Sequence, residues 1–226
     1  MNAMDGRLFC NELLYCEGRE KCLMRGKIHF FSLFVFPFLL WIYYEAAKYN
    51  VKALSIGYVY LLMNFMAYGI SCLFHMGSWS KEQEIIIQKL DHCFVAMYVT
   101  SKYLPMALLL LPTYIGTIHI AAATMICIWN NINVWNSRPD SMRLALLAAT
   151  QFPFFYYYYE LMTPIEWACN WIAIISQSIA GYIFVNEITP SWMNPQIATF
   201  HELYHMLSLI TGISMWILNY SIIQRA

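Results

Sequence analysis

Long apolar runs, separated by short polar breaks, dominate the hydropathy pattern of the chain. Seven runs reach the length of about 20 mostly apolar residues that a helix needs to cross a bilayer. The breaks contain turn-forming or charged residues, as in "GSWSKEQ" after the second run and "NSRPDS" after the fourth. The pattern predicts an all-α bundle of seven transmembrane helices, with spans at roughly 28–47, 53–76, 84–104, 106–130, 141–160, 165–186 and 197–222.

Two prolines leave one boundary of this prediction open. Pro105 is expected in a tight link between the third and fourth spans. A proline has no backbone N–H to donate within a helix, so it usually ends or kinks the helix that contains it. Pro105 and Pro112 are therefore also compatible with kinks in one longer helix.

The composition supports a membrane protein. Of the 226 residues, 60% are hydrophobic and only 12% are charged, whereas a soluble domain averages roughly 25% charged residues. The formal net charge is zero, which argues against a nucleic-acid partner. The seven cysteines have no CxxC spacing, so we expect free thiols and no disulfide framework.

The distribution of lysine and arginine predicts the orientation of the bundle. Nine of these 13 residues fall on the side of the N-terminus and four on the other side. Positive residues favour the cytosol, so residues 1–27 are predicted to be a cytosolic segment and residues 28–226 the seven-transmembrane domain. The pattern indicates an integral, multi-pass protein of the lipid bilayer, and it leaves the plasma membrane and endomembranes equally open.

The stretch "FHELYHM", residues 200–206, contains a His-Glu-x-x-His pattern at His201, Glu202 and His205. On a helix this pattern is typical of zinc metalloproteases, in which two histidines bind the metal and the glutamate is the base. His201 and His205 are four residues apart and therefore share one face of a helix. Glu202 is adjacent to His201 and faces a different direction.

Other ionisable residues are predicted at the same membrane depth as these histidines. His75 ends the second predicted span, Asp91 begins the third, and His201 and His205 begin the seventh. Ser71 lies one helical turn before His75 and shares its face. Because an ionisable group inside a membrane is expensive to bury, it indicates a functional site by default. The sequence therefore predicts one polar site built from three helices near the cytosolic face.

Zinc chemistry accounts for this set of residues. Three neutral imidazoles and one water form a common tetrahedral catalytic zinc site, and the metal lowers the pKa of that water to about 7. His75, His201 and His205 are the predicted ligands. Asp91 is predicted to deprotonate the water or to orient a ligand, and Ser71 to hydrogen-bond Asp91, the water or an oxyanion.

The remaining histidines are not predicted to bind the metal. His92 follows Asp91 directly and points about 100° away from it around a helix. His29 and His119 have no partner at helical spacing, so we expect them to be bundle residues whose ring nitrogens are satisfied by neighbouring groups.

Two stretches of the chain resemble the haemolysin III and PAQR (progestin and adipoQ receptor) family. The stretch 71–105 contains Ser-x-x-x-His, then Asp-His, then Tyr-x-Pro, and the stretch 200–212 contains His-x-x-x-His. The seven-helix layout and a cytosolic N-terminus are also similar. The resemblance implies zinc held by His75, His201 and His205, with Asp91 and Ser71 beside a metal-bound water.

The wider superfamily shares this set of residues. It includes alkaline ceramidases and proteins related to the muscle fusion protein myomaker, and the myomaker-like branch fits the same spacing. The Asp91-His92 pair is more similar to haemolysin III, and no acidic calcium-binding segment of the ceramidase kind is evident near the N-terminus. The resemblance implies a membrane lipid, ceramide-like first, as substrate or ligand; it names no protein partner.

Three functions are therefore compatible with the sequence. The first is an intramembrane zinc hydrolase acting on a lipid amide or ester through a zinc-bound water. The second is a lipid-responsive receptor or structural membrane protein, including a membrane-remodelling one, whose zinc is architectural. The third is a membrane metalloprotease with Glu202 as its base, which we disfavour because Asp91 already offers a carboxylate and His75 a third ligand.

Overall fold

The computed structural model describes residues 15–18, 20–136 and 149–226. Within these ranges the chain is helical and contains no strand, which confirms the all-α class. Short 3₁₀ turns lie at Tyr15–Glu17 and Phe152–Phe154. The main helices are α1 (Lys27–Leu33), α2 (Phe36–Ala47), α3 (Val51–Met76), α4 (Lys81–Ser101), α5 (Thr113–Trp135), α6 (Phe155–Leu161), α7 (Pro164–Val185) and α8 (Phe200–Gln224).

Five to six helical segments of the described chain are long and apolar enough to cross a membrane. The sixth candidate is the pair formed by α1 and α2, which is bent by 42° and occupies the position of the first predicted span. The fifth predicted span, 141–160, falls partly on residues 137–148, outside the described residues, so seven spans stay a prediction. The other five candidates are Val51–Met76, Lys81–Leu110, Thr113–Trp135, Pro164–Val185 and Phe200–Gln224.

The boundary after α4 differs from the predicted link at Pro105. The helix continues through Tyr103–Pro105 and a π-helical turn at Met106–Leu110. The break falls instead at Leu111, which is extended, with φ −78° and ψ 153°. Pro112 explains this position, because the residue before a proline is sterically driven out of the helical region.

Close packing requires a glycine where α5 passes the π-helical turn. A Cβ atom at Gly116 would lie 2.0 Å from the carbonyl oxygen of Ala107. Any larger residue would therefore push α5 away from the preceding span. At the end of α4, the carbonyl of Lys102 accepts a hydrogen bond from Asn219 Nδ2 of α8 at 3.2 Å.

Helix α8 packs against α7 along its length and also contacts α1, α2 and α3. Buried hydrogen bonds join it to its neighbours: Tyr43 Oη donates to the carbonyl of Trp216 at 2.8 Å, and Trp216 Nε1 donates to Asn64 Oδ1 at 3.2 Å. Inside a membrane such bonds between helices hold the bundle together, because lipid gives no hydrophobic drive for helix association.

The segment before α1 covers one end of the bundle. Its backbone pairs with the stretch before α8, where the amides of Leu23 and Met24 donate to the carbonyls of Gln196 and Ile197 at 2.9 and 3.0 Å. Gly26 has φ 76° and lies against α3, where an added Cβ would be 3.0 Å from His75 Cβ. The segment thus lies directly over the end of α3.

Candidate metal centre

Three histidines converge at the end of the bundle that this segment covers. His75 from α3 and His201 and His205 from α8 offer ligand nitrogens that all lie within 4.8 Å of one another. Nε2 of His201 is 3.1 Å from Nε2 of His75. All three side chains are buried. The structure therefore brings together the three residues that the sequence singled out as metal ligands.

The start of α8 places two of these histidines. Thr199 is the N-cap of the helix, and its backbone N–H donates to Glu202 Oε2 at 2.9 Å while the Thr199 hydroxyl accepts from His201 N–H at 3.4 Å. This reciprocal capping satisfies the first amides of the helix. It holds the first turn in register, so that His201 and His205 both face α3.

Tyr15 sets the orientation of the third histidine. Its hydroxyl lies 3.1 Å from His75 Nδ1, and Arg25 Nη1 donates to the same hydroxyl at 2.5 Å. A partner on one ring nitrogen of a metal-binding histidine fixes the tautomer and leaves the other nitrogen for the metal. Here Nδ1 faces Tyr15 and Nε2 faces His201. Sequence reasoning missed Tyr15, because it lies 60 residues from His75 in the chain and no spacing rule connects the two.

Glu84 of α4 holds the backbone of Tyr15 in place. Its two carboxylate oxygens accept from the amides of Tyr15 and Cys16 at 2.5 and 2.9 Å. Glu84 is 1% exposed, and it lies seven residues before Asp91 on the same helix. The N-terminal segment therefore contacts all three helices that carry the predicted site residues.

Glu202 is engaged in structure, not in the histidine cluster. Its Oε1 forms a buried ion pair with Arg25 Nε at 2.5 Å, and its Oε2 caps α8 through Thr199. The pKa of the Cys22 thiol is raised above its usual value, mainly by burial and to a smaller extent by the neighbouring Glu202 carboxylate. The protease prediction needed Glu202 as a free base beside the metal, and these contacts already use both of its oxygens.

The geometry of the cluster fits a zinc ion. Two nitrogens bound to one tetrahedral zinc at about 2.0–2.1 Å lie roughly 3.3 Å apart, close to the 3.1 Å between His75 and His201. Both ring nitrogens of His205 are buried and have no hydrogen-bond partner among the described residues. Imidazole is also a ligand that zinc prefers. His75, His201 and His205 are thus the residues that would hold the ion.

The two predicted catalytic residues face the same cavity as the cluster. Ser71 and Asp91 line it together with His201 and His205, and both are buried. Neither Ser71 Oγ nor Asp91 Oδ1 has a hydrogen-bond partner of standard geometry in the described chain. Their catalytic roles stay predictions.

The cavity has the volume of a small-molecule site. It measures about 590 Å³ and lies between α3, α4, α7 and α8, within the range of about 300–1,000 Å³ typical of small-molecule sites. Its walls are mostly apolar, with polar groups at the histidine end and again near the end of α4.

His29 also lies at the cluster, unlike the isolated bundle residue that we expected. Its ring is 4.3 Å from that of His205 and stacks on Tyr68 at 4.7 Å, measured between centroids. Neither ring nitrogen has a hydrogen-bond partner among the described residues, so the expectation that neighbours satisfy it was wrong. No sequence signal could have shown this, since it follows from the packing of α1 against α3 and α8.

His119 agrees with its prediction in part, because its Nδ1 has a partner whereas its Nε2 is buried without one among the described residues. It is fully buried on α5, and its Nδ1 lies 2.8 Å from Tyr158 Oη. Its ring stacks on Phe154 at 4.4 Å. His92 lines the cavity, but the three-histidine group does not include it.

The fold and the cluster define an all-α, multi-pass integral membrane protein with a buried group of three histidines at one end of its helices. The chain matches the haemolysin-III related family over residues 19–216, and it belongs to this family. The resemblance seen in the two motif stretches is thereby confirmed. Comparison with curated proteins gives no match.

Proposed function

We propose that this protein is an intramembrane zinc hydrolase that cleaves an amide or ester bond of a membrane lipid, with ceramide-like amides as the first candidates. One observation carries the proposal. Three buried imidazoles converge, and two of them, those of His201 and His205, line a mostly apolar cavity whose wall also presents a buried carboxyl and a buried hydroxyl. This is the set of groups that hydrolysis of a carbonyl compound requires.

Each residue has a role in this proposal. His75, His201 and His205 would hold the zinc, which when bound polarises a carbonyl and makes water acidic enough to react at neutral pH. Asp91 would accept the proton of the attacking water and pass it to the leaving amine or alcohol. Ser71 would donate a hydrogen bond to the oxygen on which negative charge develops. The products would be a fatty acid and the free amine or alcohol.

The proposal includes seven spans and a cytosolic N-terminus, which puts the histidines near the cytosolic face. The distribution of lysine and arginine supports this orientation. The covering of the histidine end by residues 15–18 and 20–26 also supports it, because Lys21 and Arg25 are among the cationic residues counted on the cytosolic side.

Purified protein in detergent tests the proposal. We expect one zinc per chain and turnover of a fluorescent ceramide, with both lost in His205→Ala. His119→Ala is the matched control, because it removes a buried histidine of the same bundle that is outside the cluster. Turnover that persists in zinc-depleted protein or in His205→Ala would overturn the hydrolase proposal.

An architectural role for the metal is the second candidate, and one observation favours it. The cluster joins α3 to α8, and through Tyr15 it also joins the N-terminal segment. A bound ion would therefore strengthen both of these contacts at once. Two measurements separate the candidates. Loss of turnover in Asp91→Asn at full zinc content favours the hydrolase. Full zinc content without turnover in the wild type favours the architectural role.

A further inference from the structure

A buried lysine lies at the opposite end of the cavity from the histidines. Lys102 follows α4 in helical conformation, lines the cavity and is 5% exposed. Its Nζ lies 4.2 Å from the centroid of the Tyr98 ring. No carboxylate of the described residues is within ion-pair distance of it. This cation therefore has an aromatic neighbour and no counter-ion in the described part of the chain.

Two amide side chains line the same cavity and have unsatisfied groups. Asn170 of α7 is 1% exposed and Gln151 is 4% exposed. Asn170 Nδ2 and Gln151 Oε1 have no hydrogen-bond partner within the described ranges. Lys102 and Asn170 thus supply donors without acceptors, which is the chemistry that recognises an anion.

The stretch between the two polar ends is lined by apolar side chains and by the hydroxyl groups of Ser208 and Thr211 of α8. Ala67 of α3, Val99 of α4, and Ala173 and Met215 of α7 and α8 contribute to the wall. Lys102 follows Asp91 by eleven residues, which corresponds to roughly 16 Å of rise along a helix. A single acyl chain spans such a length, so one molecule can occupy the apolar stretch and place its polar head at Lys102.

A purely structural role explains Lys102 less well. The contact of Lys102 with α8 uses its backbone carbonyl, which accepts from Asn219, and any residue provides a carbonyl. The ammonium itself is expensive to bury in a membrane protein, and a contact with one aromatic face offsets only part of that cost. A lysine kept in a cavity wall without a carboxylate beside it favours a ligand that itself supplies the negative charge.

We propose that Lys102, assisted by Asn170, binds the anionic head of a single-chain lipid, a carboxylate or a phosphate monoester, whose chain extends through the cavity toward Asp91. This site is separate from the histidine cluster. The inference does not depend on hydrolysis, because it concerns binding at the far end of the cavity.

Equilibrium binding to the full-length protein in uncharged detergent tests the inference. The probes are radiolabelled palmitate, hexadecyl phosphate and the uncharged hexadecanol. We expect the wild type to bind at least one of the two anions about tenfold or more tightly than hexadecanol. Lys102→Met keeps the length of the side chain and removes the charge, and it should abolish that preference. Lys102→Arg should retain it.

A control lysine variant and a histidine variant complete the binding test. Lys48→Met, which removes a partly exposed lysine outside the cavity, should bind all three probes as the wild type does. If Lys102→Met fails to fold, the wild type still decides the matter, since equal affinity for hexadecanol and for both anions overturns the inference. Anion binding that is kept in Lys102→Met and lost in His205→Ala also overturns it, because the head would then lie at the metal.

Discussion

Two kinds of buried histidine occur in this protein, and their surroundings differ. His119 lies between Phe154 and Tyr103, and its Nδ1 has a hydroxyl partner in Tyr158. His75 also has a hydroxyl partner on Nδ1, from Tyr15. However, its second nitrogen faces another imidazole nitrogen at 3.1 Å. His119 and His75 are both buried and both have a hydroxyl partner. They differ because the ring nitrogens of several histidines converge at His75.

The convergence of ring nitrogens, more than burial, distinguishes a candidate metal site from a packed histidine. A histidine with aromatic neighbours and one hydrogen bond is a packed residue of the bundle. Packing alone does not explain three imidazoles directed at one point, because the hydrogen bond between His75 Nε2 and His201 Nε2 leaves both ring nitrogens of His205 without a partner among the described residues. A shared cation would account for the arrangement, and the following experiments test that difference between His119 and the cluster.

Removal of a ligand should have the largest effect. His75→Ala should abolish zinc binding and turnover, because it leaves two histidine ligands where the wild type has three. The loss of zinc affinity should exceed the roughly 10–100-fold expected when a ligand loses only its hydrogen-bond partner. His119→Ala should keep one zinc per chain. Metal analysis of the purified proteins measures both. Full zinc in His75→Ala, or loss of zinc in His119→Ala, would remove the distinction.

Loss of the carboxylate should come next. Asp91→Asn should retain the zinc and reduce ceramide turnover by about 10²–10⁴-fold, the usual contribution of a general base. The amide has the size of the carboxylate but cannot accept the proton. Initial rates at matched zinc content measure the effect. Unchanged rates would show that Asp91 has no part in proton transfer.

Loss of the Tyr15 hydroxyl should have a smaller effect. Tyr15→Phe removes the partner of His75 Nδ1 and should weaken zinc binding about 10–100-fold, with a change in the visible spectrum of cobalt-substituted protein. Tyr159→Phe, at a tyrosine that is 73% exposed, is the matched control. Identical zinc affinity and cobalt spectra in the two variants would assign Tyr15 a packing role alone.

The smallest effect on turnover is expected for Glu202→Gln. The amide can still cap α8, but Arg25 would be left buried without its carboxylate, and breaking such a pair typically costs about 3–5 kcal/mol of stability. We therefore expect a lower thermal unfolding midpoint and turnover within a few-fold of the wild type. A loss of turnover as large as that of Asp91→Asn, at unchanged stability, would restore the protease reading of the His-Glu-x-x-His motif.

Much of the site was predictable, because helical spacing and membrane depth are properties of the sequence. The four-residue separation of His201 and His205 puts them on one face of α8 wherever that helix packs. The placement of His75 and Asp91 near the ends of predicted spans brings them to the same depth. The boundary after α4 was less predictable, since Pro105 can end a helix or be accommodated by a π turn.

The amino-acid sequence by itself determined the all-α membrane class, most of the helical segments and the three converging histidines, because hydrophobic length and helical period are local properties. Only the tertiary structure decided the partners of those histidines. Tyr15 reaches His75, Arg25 pairs with Glu202, His29 lies against His205, and Lys102 shares a cavity with Asp91. These contacts join residues that are distant in the chain, and the way the helices pack against one another sets them.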